Sequence, residues 1–122
     1  MLRIHLLQYG SKIGDVEYNL NRLIKAMERL CVGDGADLIV APELYLPGYM
    51  SKDLIFQIAE PIGGRTISRL LMEASRRNCH VIVGFAERSE NTPCSLQYGG
   101  GHRLTGGYWQ CIGRDICILR NF

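Results

Sequence analysis

The chain has 122 residues, of which 47% are hydrophobic and 21% charged, and its formal net charge is +2. That length suits one small domain, and the composition is ordinary for a globular protein. The charge is too small to point to nucleic acid or an acidic membrane surface, and no apolar stretch approaches the length of a membrane span.

The segment Leu2 to Gln8 reads as a strand. With Met1 it is too short and too polar for a signal peptide. Gly14-Asp15 opens a helix, with Asp15 as N-cap. Val16, Leu20, Leu23, Ile24, Met27, Leu30 and Cys31 follow at helical spacing, and Gly33 and Gly35 end the run. Leu38 to Ala41 is a short strand, apolar on both faces, as in a covered sheet. Pro47-Gly48 marks a turn. Pro61 and Gly63-Gly64 precede a second helix with Ile67, Leu70, Leu71 and Ala74 on one face, and Asn78 closes it. Val81 to Phe85 is a third buried strand. The order β-α-β-α-β over residues 2–87 implies an α/β fold, a parallel or mixed sheet covered by helices.

Residues 89–122 differ in character. They hold three of the five cysteines, six of the fourteen glycines, the only tryptophan and no lysine. The run Gly99-Gly100-Gly101 lacks the flanking strand, helix and Lys-Ser/Thr of a phosphate loop. Only Ile112 to Leu119 is notably apolar, so the tail is expected to be irregular. The domain therefore divides into residues 1–88 and a tail, 89–122.

Five cysteines is an odd number, and their spacing fits neither a zinc site nor a disulfide framework. Reduced thiols and a cytoplasmic location are the default. His5 reads as a sheet residue and His80 as an exposed strand start. His102 has no second metal ligand near it, so neither a metal nor a cofactor is implied. Arg65, Arg69, Arg76 and Arg77 form the wet face of the second helix, and Met27 and Met72 fit core positions.

Glu43 stands apart. It follows Leu38-Ile39-Val40-Ala41-Pro42, so a buried strand delivers a carboxylate to the rim of the sheet, where α/β proteins build their sites. Taken alone it is equally a surface acid after a strand. Tyr49 either shapes a pocket beside it or packs as a turn tyrosine. Glu87 ends the third strand on the same rim, or is simply a solvated acid. A nucleotide-binding doubly wound domain is disfavoured, because Tyr9-Gly10-Ser11-Lys12 stands where a Gly-rich turn belongs.

With Glu43 in its setting, the first part of the chain resembles the N-terminus of a carbon–nitrogen hydrolase, the nitrilase and amidase superfamily. The resemblance is carried in order by Leu7-Gln8, Gly14-Asp15 with Asn19, Gly35 to Glu43, Gly48-Tyr49, Ala59-Glu60-Pro61 with Gly63, and Val81 to Glu87. It implies a partial α-β-β-α sandwich, and a Glu-Lys-Cys triad that cleaves a small linear amide or nitrile through a thioester. In that scheme the carboxylate activates the thiol and an ammonium stabilises the oxyanion. Partial burial is expected to give the glutamate a useful pKa. Family members associate as homo-oligomers, so a second reading is a binding or assembly module that pairs with a full-length relative.

Only Glu43 carries over. The last lysine is Lys52, too early for the family lysine. Cys31 lies on a helix face, Cys79 precedes a strand, and Cys94, Cys111 and Cys117 sit in the wrong contexts. The family continues after its third strand with a Leu-Tyr-Asn-Ser/Thr-Ala-Val-like segment. Here Ser95-Leu96-Gln97-Tyr98-Gly99-Gly100-Gly101 has permitted codons that, shifted by one base, read Leu-Tyr-Asn-Thr-Ala-Val-Val. The tail is therefore read as out-of-frame translation, with a divergent natural tail as the alternative.

Overall fold

Three short apolar runs become parallel strands: β1 (Ile4–Leu6), β2 (Leu38–Val40) and β3 (His80–Phe85). The computed structural model describes residues 1–49, 53–61, 63–86, 88, 108–112 and 116–120. The last two segments are β4 (Tyr108–Ile112) and β5 (Ile116–Arg120), so two strands stand within the tail. The sheet order is β1-β2-β3-β5-β4, with β5 parallel to β3 and only β4 antiparallel. His5, Ile39 and Val81 share one register row, and Leu6, Val40 and Ile82 the next.

The first crossover uses helix α1 (Val16–Met27). Asp15 caps it as expected, accepting the Tyr18 N–H at 3.1 Å. The Lys12 ammonium, 2.8 Å away, and then the Tyr18 N–H hold the Asp15 carboxyl below the usual carboxylate range. The helix does not stop at Met27. It loosens into a π-helical turn, Glu28–Gly33, which brings Leu30 into the core before Gly35 turns the chain at φ +67°. The second crossover holds a short helix that the sequence reading lacks, α2 (Leu54–Ile58), and then α3 (Arg65–Arg77). Asn78 closes α3 in the left-handed region (φ 50°), its N–H reaching the Ala74 and Ser75 carbonyls.

Both long helices cover one face of the sheet. Leu20, Leu23 and Met27 of α1 and Ile67, Leu70 and Ala74 of α3 form one cluster with Ile39, Val81 and Val83. Arg69 ties the two helices together, donating to Glu17 and Asn21 at 2.7 Å each. Two expectations change here. Met72 is 59% exposed, because it falls on the outer side of α3, away from the Ile67–Leu70–Ala74 stripe. Arg77 is not on the wet face; its side chain is 8% exposed and paired with Glu73, one turn back. That pairing holds the Glu73 carboxyl below its ordinary range.

The cysteine expectation changes as well. Cys31 and Cys79 are joined as a disulfide, 48 residues apart in sequence. Periodicity cannot foresee this, because the crossover that brings them together is a tertiary event.

The other face of the three parallel strands has no cover among the described residues. Leu2, Ile4 and Leu6 are 66%, 50% and 69% exposed, and Leu38, Val40 and Ile82 beside them are only half-buried. Covering a leucine or isoleucine is worth about 1.5–3 kcal/mol, so this face leaves several such increments unrealised. Among the described residues β1 is also an edge strand, with no strand paired to its outer side. The chain is therefore expected to self-associate. The double variant Ile4→Thr/Leu6→Thr should elute smaller on gel filtration and bind less hydrophobic dye, without losing melting temperature. A drop in melting temperature would mean that these side chains already pack within the single chain.

Candidate functional site

All three parallel strands end on the same side, and Glu43 stands there, three residues past β2. The extension is firmly paired. The Leu7 N–H donates to the Val40 carbonyl and the Ala41 N–H to the Ile82 carbonyl, both at 2.8 Å. Pro42 stops the pairing because it has no N–H to give. The chain then winds through a compact turn, with Tyr45 N–H on the Pro42 carbonyl at 3.1 Å and Gly48 N–H on the Leu44 carbonyl at 2.9 Å. Inside this turn Tyr45 and Leu46 are buried while Glu43 stays exposed. The partial burial expected for the Glu43 carboxylate is thus missing in this chain. Among the described residues it has no ion-pair partner.

Three residues hold the turn in place. Gly84 of β3 is the first. A Cβ there would lie inside the Glu43 carbonyl oxygen, so only glycine lets the backbone of the turn sit down on β3. Leu46 N–H completes that contact on the Gly84 carbonyl at 3.3 Å. Gly48 is the second. Its φ of +81° favours glycine, and a Cβ would sit 2.9 Å from the backbone of Ile13.

Asn19 is the third, and it is wholly buried. Its Oδ1 accepts the Lys12 N–H at 2.8 Å. Its Nδ2 donates to the Lys12 carbonyl at 2.8 Å and to the Leu46 carbonyl at 2.9 Å. One side chain thus joins helix α1, the loop before it and the turn that carries Glu43. Gly14 N–H on the Pro47 carbonyl at 2.9 Å closes the same junction.

The other expected residues are not gathered around Glu43. Tyr49 is 47% exposed in the chain beyond the turn, and no hydrogen bond joins it to Glu43 among the described residues. Glu87 lies outside the described residues, as does Lys52. A second carboxylate on this rim is Glu60, but it is spent on structure. It accepts the Thr66 N–H at the start of α3 (3.1 Å), and its backbone pairs with Ala86 and Arg88. The cleft between Glu60, Leu46 and Phe85 holds only about 10 Å³, room for about one water molecule. Tyr45, beneath the turn, has a buried hydroxyl without a partner among the described residues, and burial pushes its pKa up. Cys79 opens into β3 at the far end, so the length of β3, roughly 20 Å, separates the Cys31–Cys79 pair from Glu43. No group of three metal-ligating side chains occurs among the described residues. No described helix is long and apolar enough to cross a membrane.

Sequence reasoning missed the scaffold of the site rather than its carboxylate. Asn19 did leave a signal. It is a polar residue on the apolar stripe of Val16, Leu20, Leu23 and Met27, where a side chain must find partners in the core.

Comparison with known proteins gives a consistent result. The family model for carbon-nitrogen hydrolase matches residues 3–112. An (R)-stereoselective amidase from Pseudomonas is 41% identical over 86 residues, covering 70% of this chain and 31% of that protein. A glutamine-dependent NAD(+) synthetase from Thermotoga maritima is 34% identical over 91 residues, covering 74% of this chain and 16% of that protein. A synthetase of the same description from Xylella fastidiosa is 38% identical over 56 residues, 46% of this chain. The chain therefore spans less than a third of the length of these relatives.

The scaffold is open to direct test. Asn19→Leu leaves the Lys12 N–H and the Leu46 carbonyl without their partner, while the Lys12 carbonyl keeps the Asp15 N–H, and should cost about 2–3 kcal/mol in denaturant unfolding. Gly84→Ala should cost a similar amount, about 2–4 kcal/mol, because the Glu43 carbonyl has to move. If either variant unfolds at the wild-type denaturant concentration, the turn is not held as described.

Proposed function

The chain belongs to the carbon–nitrogen hydrolase family, and from that membership we propose that it is the N-terminal portion of an amidase-type enzyme, with Glu43 as general base. The observation that carries this reading is the position of Glu43 at the carboxyl end of the central parallel strand, within the matched span. An amide substrate is supported by the amidase among the relatives and by the glutamine dependence of the synthetases, since glutamine ends in a carboxamide.

In this scheme Glu43 takes the proton of a cysteine thiol, and the thiolate attacks the amide carbon. A lysine ammonium stabilises the oxyanion of the tetrahedral intermediate. The proton passes to the departing nitrogen, leaving a thioester, and water then releases the acid. Cysteine and lysine belong to later parts of the family domain. The exposure of Glu43 in this chain fits a rim that the remainder of the domain would cover and desolvate.

The 122-residue polypeptide by itself is expected to turn over no simple amide or nitrile. In a chain that carries the rest of the family domain, Glu43→Gln should lower kcat by ~10²–10⁴-fold, with a much smaller change in KM. Turnover by the 122-residue chain that Glu43→Gln abolishes would overturn the inactivity claim. An unchanged kcat in the longer chain would overturn the role of Glu43.

A second reading has its own support in the open sheet face. A chain with that face bare could pair with a full-length relative without catalysis. Co-purification with an intact homologue, lost in Ile4→Thr/Leu6→Thr, is the outcome that would favour it.

For the stretch after about residue 88 we propose a one-base shift of reading frame between Glu90 and Cys94. The support is the permitted shifted reading of Ser95 to Gly101; the family match running on to residue 112 weighs against it. Sequencing the coding DNA from Phe85 onward should give Leu-Tyr-Asn-Thr-Ala-Val in the shifted frame. Codons that forbid that reading would make the tail a natural sequence.

A further inference from the structure

Cys31 and Cys79 form a second chemical site, at the end of the sheet opposite Glu43. Cys31 sits in the π-helical turn after α1, and Cys79 lies between the left-handed Asn78 and the start of β3. Their Cα atoms are 6.0 Å apart, a separation that a disulfide spans without backbone movement. The two sulfurs are unequal in access. Cys79 is 0% exposed, whereas Cys31 is only partly buried against the core. A thiol sealed in apolar surroundings is inert, so exchange has to start at Cys31.

We infer that Cys31 and Cys79 are a reversible thiol–disulfide modification site whose co-reactant is a small soluble disulfide, such as oxidised glutathione. The Cys31 thiol loses its proton, and the thiolate attacks one sulfur of the co-reactant. A mixed disulfide forms on Cys31 and one small thiolate leaves. The Cys79 thiolate, its proton also released, then attacks the Cys31 sulfur and expels the second small thiolate. Two protein thiols are oxidised to one disulfide, and one small disulfide is reduced to two thiols that carry away the two protons. Reduction runs the same steps backwards, entering again at the Cys31 sulfur.

The closed loop runs from residue 31 to residue 79. It contains β2, the Glu43 turn, α2 and α3. Oxidation therefore restrains in the unfolded chain the segment that carries the carboxylate, and the folded form gains relative to it. The reduced state expected from the sequence and the linked state in the structure are then two states of one site, chosen by the surrounding thiol–disulfide balance.

The test is peptide mapping of the unmodified chain after equilibration with oxidised and reduced glutathione, folded and in urea. In the folded chain the linked Cys31–Cys79 peptide pair should exceed its share in urea severalfold. Reductant should remove that pair and lower the melting temperature by about 10 °C. Cys79→Ser should retain a glutathione adduct on Cys31, while Cys31→Ser should keep Cys79 unmodified until the chain unfolds. Free thiols at both positions in the folded oxidised chain would overturn the site, as would linkage no more frequent than in urea. A melting temperature indifferent to reductant would overturn the restraint.

Discussion

The structure depends most on what a buried asparagine can do with two donors and an acceptor. Asn19 is fully enclosed, yet each of its polar atoms meets a backbone partner between 2.8 and 2.9 Å away. An apolar residue at this position would leave the Lys12 N–H and the buried Leu46 carbonyl without this partner. With asparagine, two irregular segments that have no ladder of their own gain fixed partners on a helix. The turn bearing Glu43 is thereby positioned by regular structure, although it belongs to none itself.

Close backbone contact completes what Asn19 begins. The Glu43 carbonyl occupies the space where any side chain at position 84 would stand, so β3 and the turn after β2 meet main chain to main chain. Two absences of a Cβ, at Gly84 and at Gly48, let the loop after β1, the turn after β2 and β3 itself come together at the carboxyl end of the sheet. The opposite end is organised differently, by the covalent link between Cys31 and Cys79. The sheet thus has a hydrogen-bonded end that presents Glu43 and an opposite end held by the sulfur link. The unequal exposure of the two sulfurs gives that second end chemistry of its own.

Across the sheet the asymmetry is energetic. One face is sealed by α1 and α3, whose apolar stripes leave Ile39, Val81 and Val83 without solvent contact. The other face keeps Ile4 and Leu6 largely in water. Hydrophobic burial is proportional to the area removed from water, so the second face represents stabilisation this chain does not collect alone. The short span of the chain relative to its relatives agrees with that picture. The exposure of Glu43 has the same origin. Nothing in the described residues stands over the rim to desolvate it.

Several features were legible in the sequence because their causes are local. Asp15 caps the first helix through its own backbone neighbourhood, and Asn78 ends α3 because asparagine tolerates the left-handed region. Short apolar runs marked Ile39 and Val81, and helical spacing marked Leu70 and Met27, for the core, and the Ala41-Pro42-Glu43 step marked the carboxylate. Met72 and Arg77 were misplaced, because a helix turns only 100° per residue and small shifts of orientation move a side chain across the boundary. The Asn19 junction, the seat that Gly84 provides for Glu43, and the Cys31–Cys79 link could not be read this way. Each joins segments far apart in sequence, and only the crossing of chains in three dimensions makes them partners. The sequence alone thus determined the βαβ order and the candidate acid. Tertiary structure decided what holds that acid, which cysteines meet, and which face of the sheet remains bare.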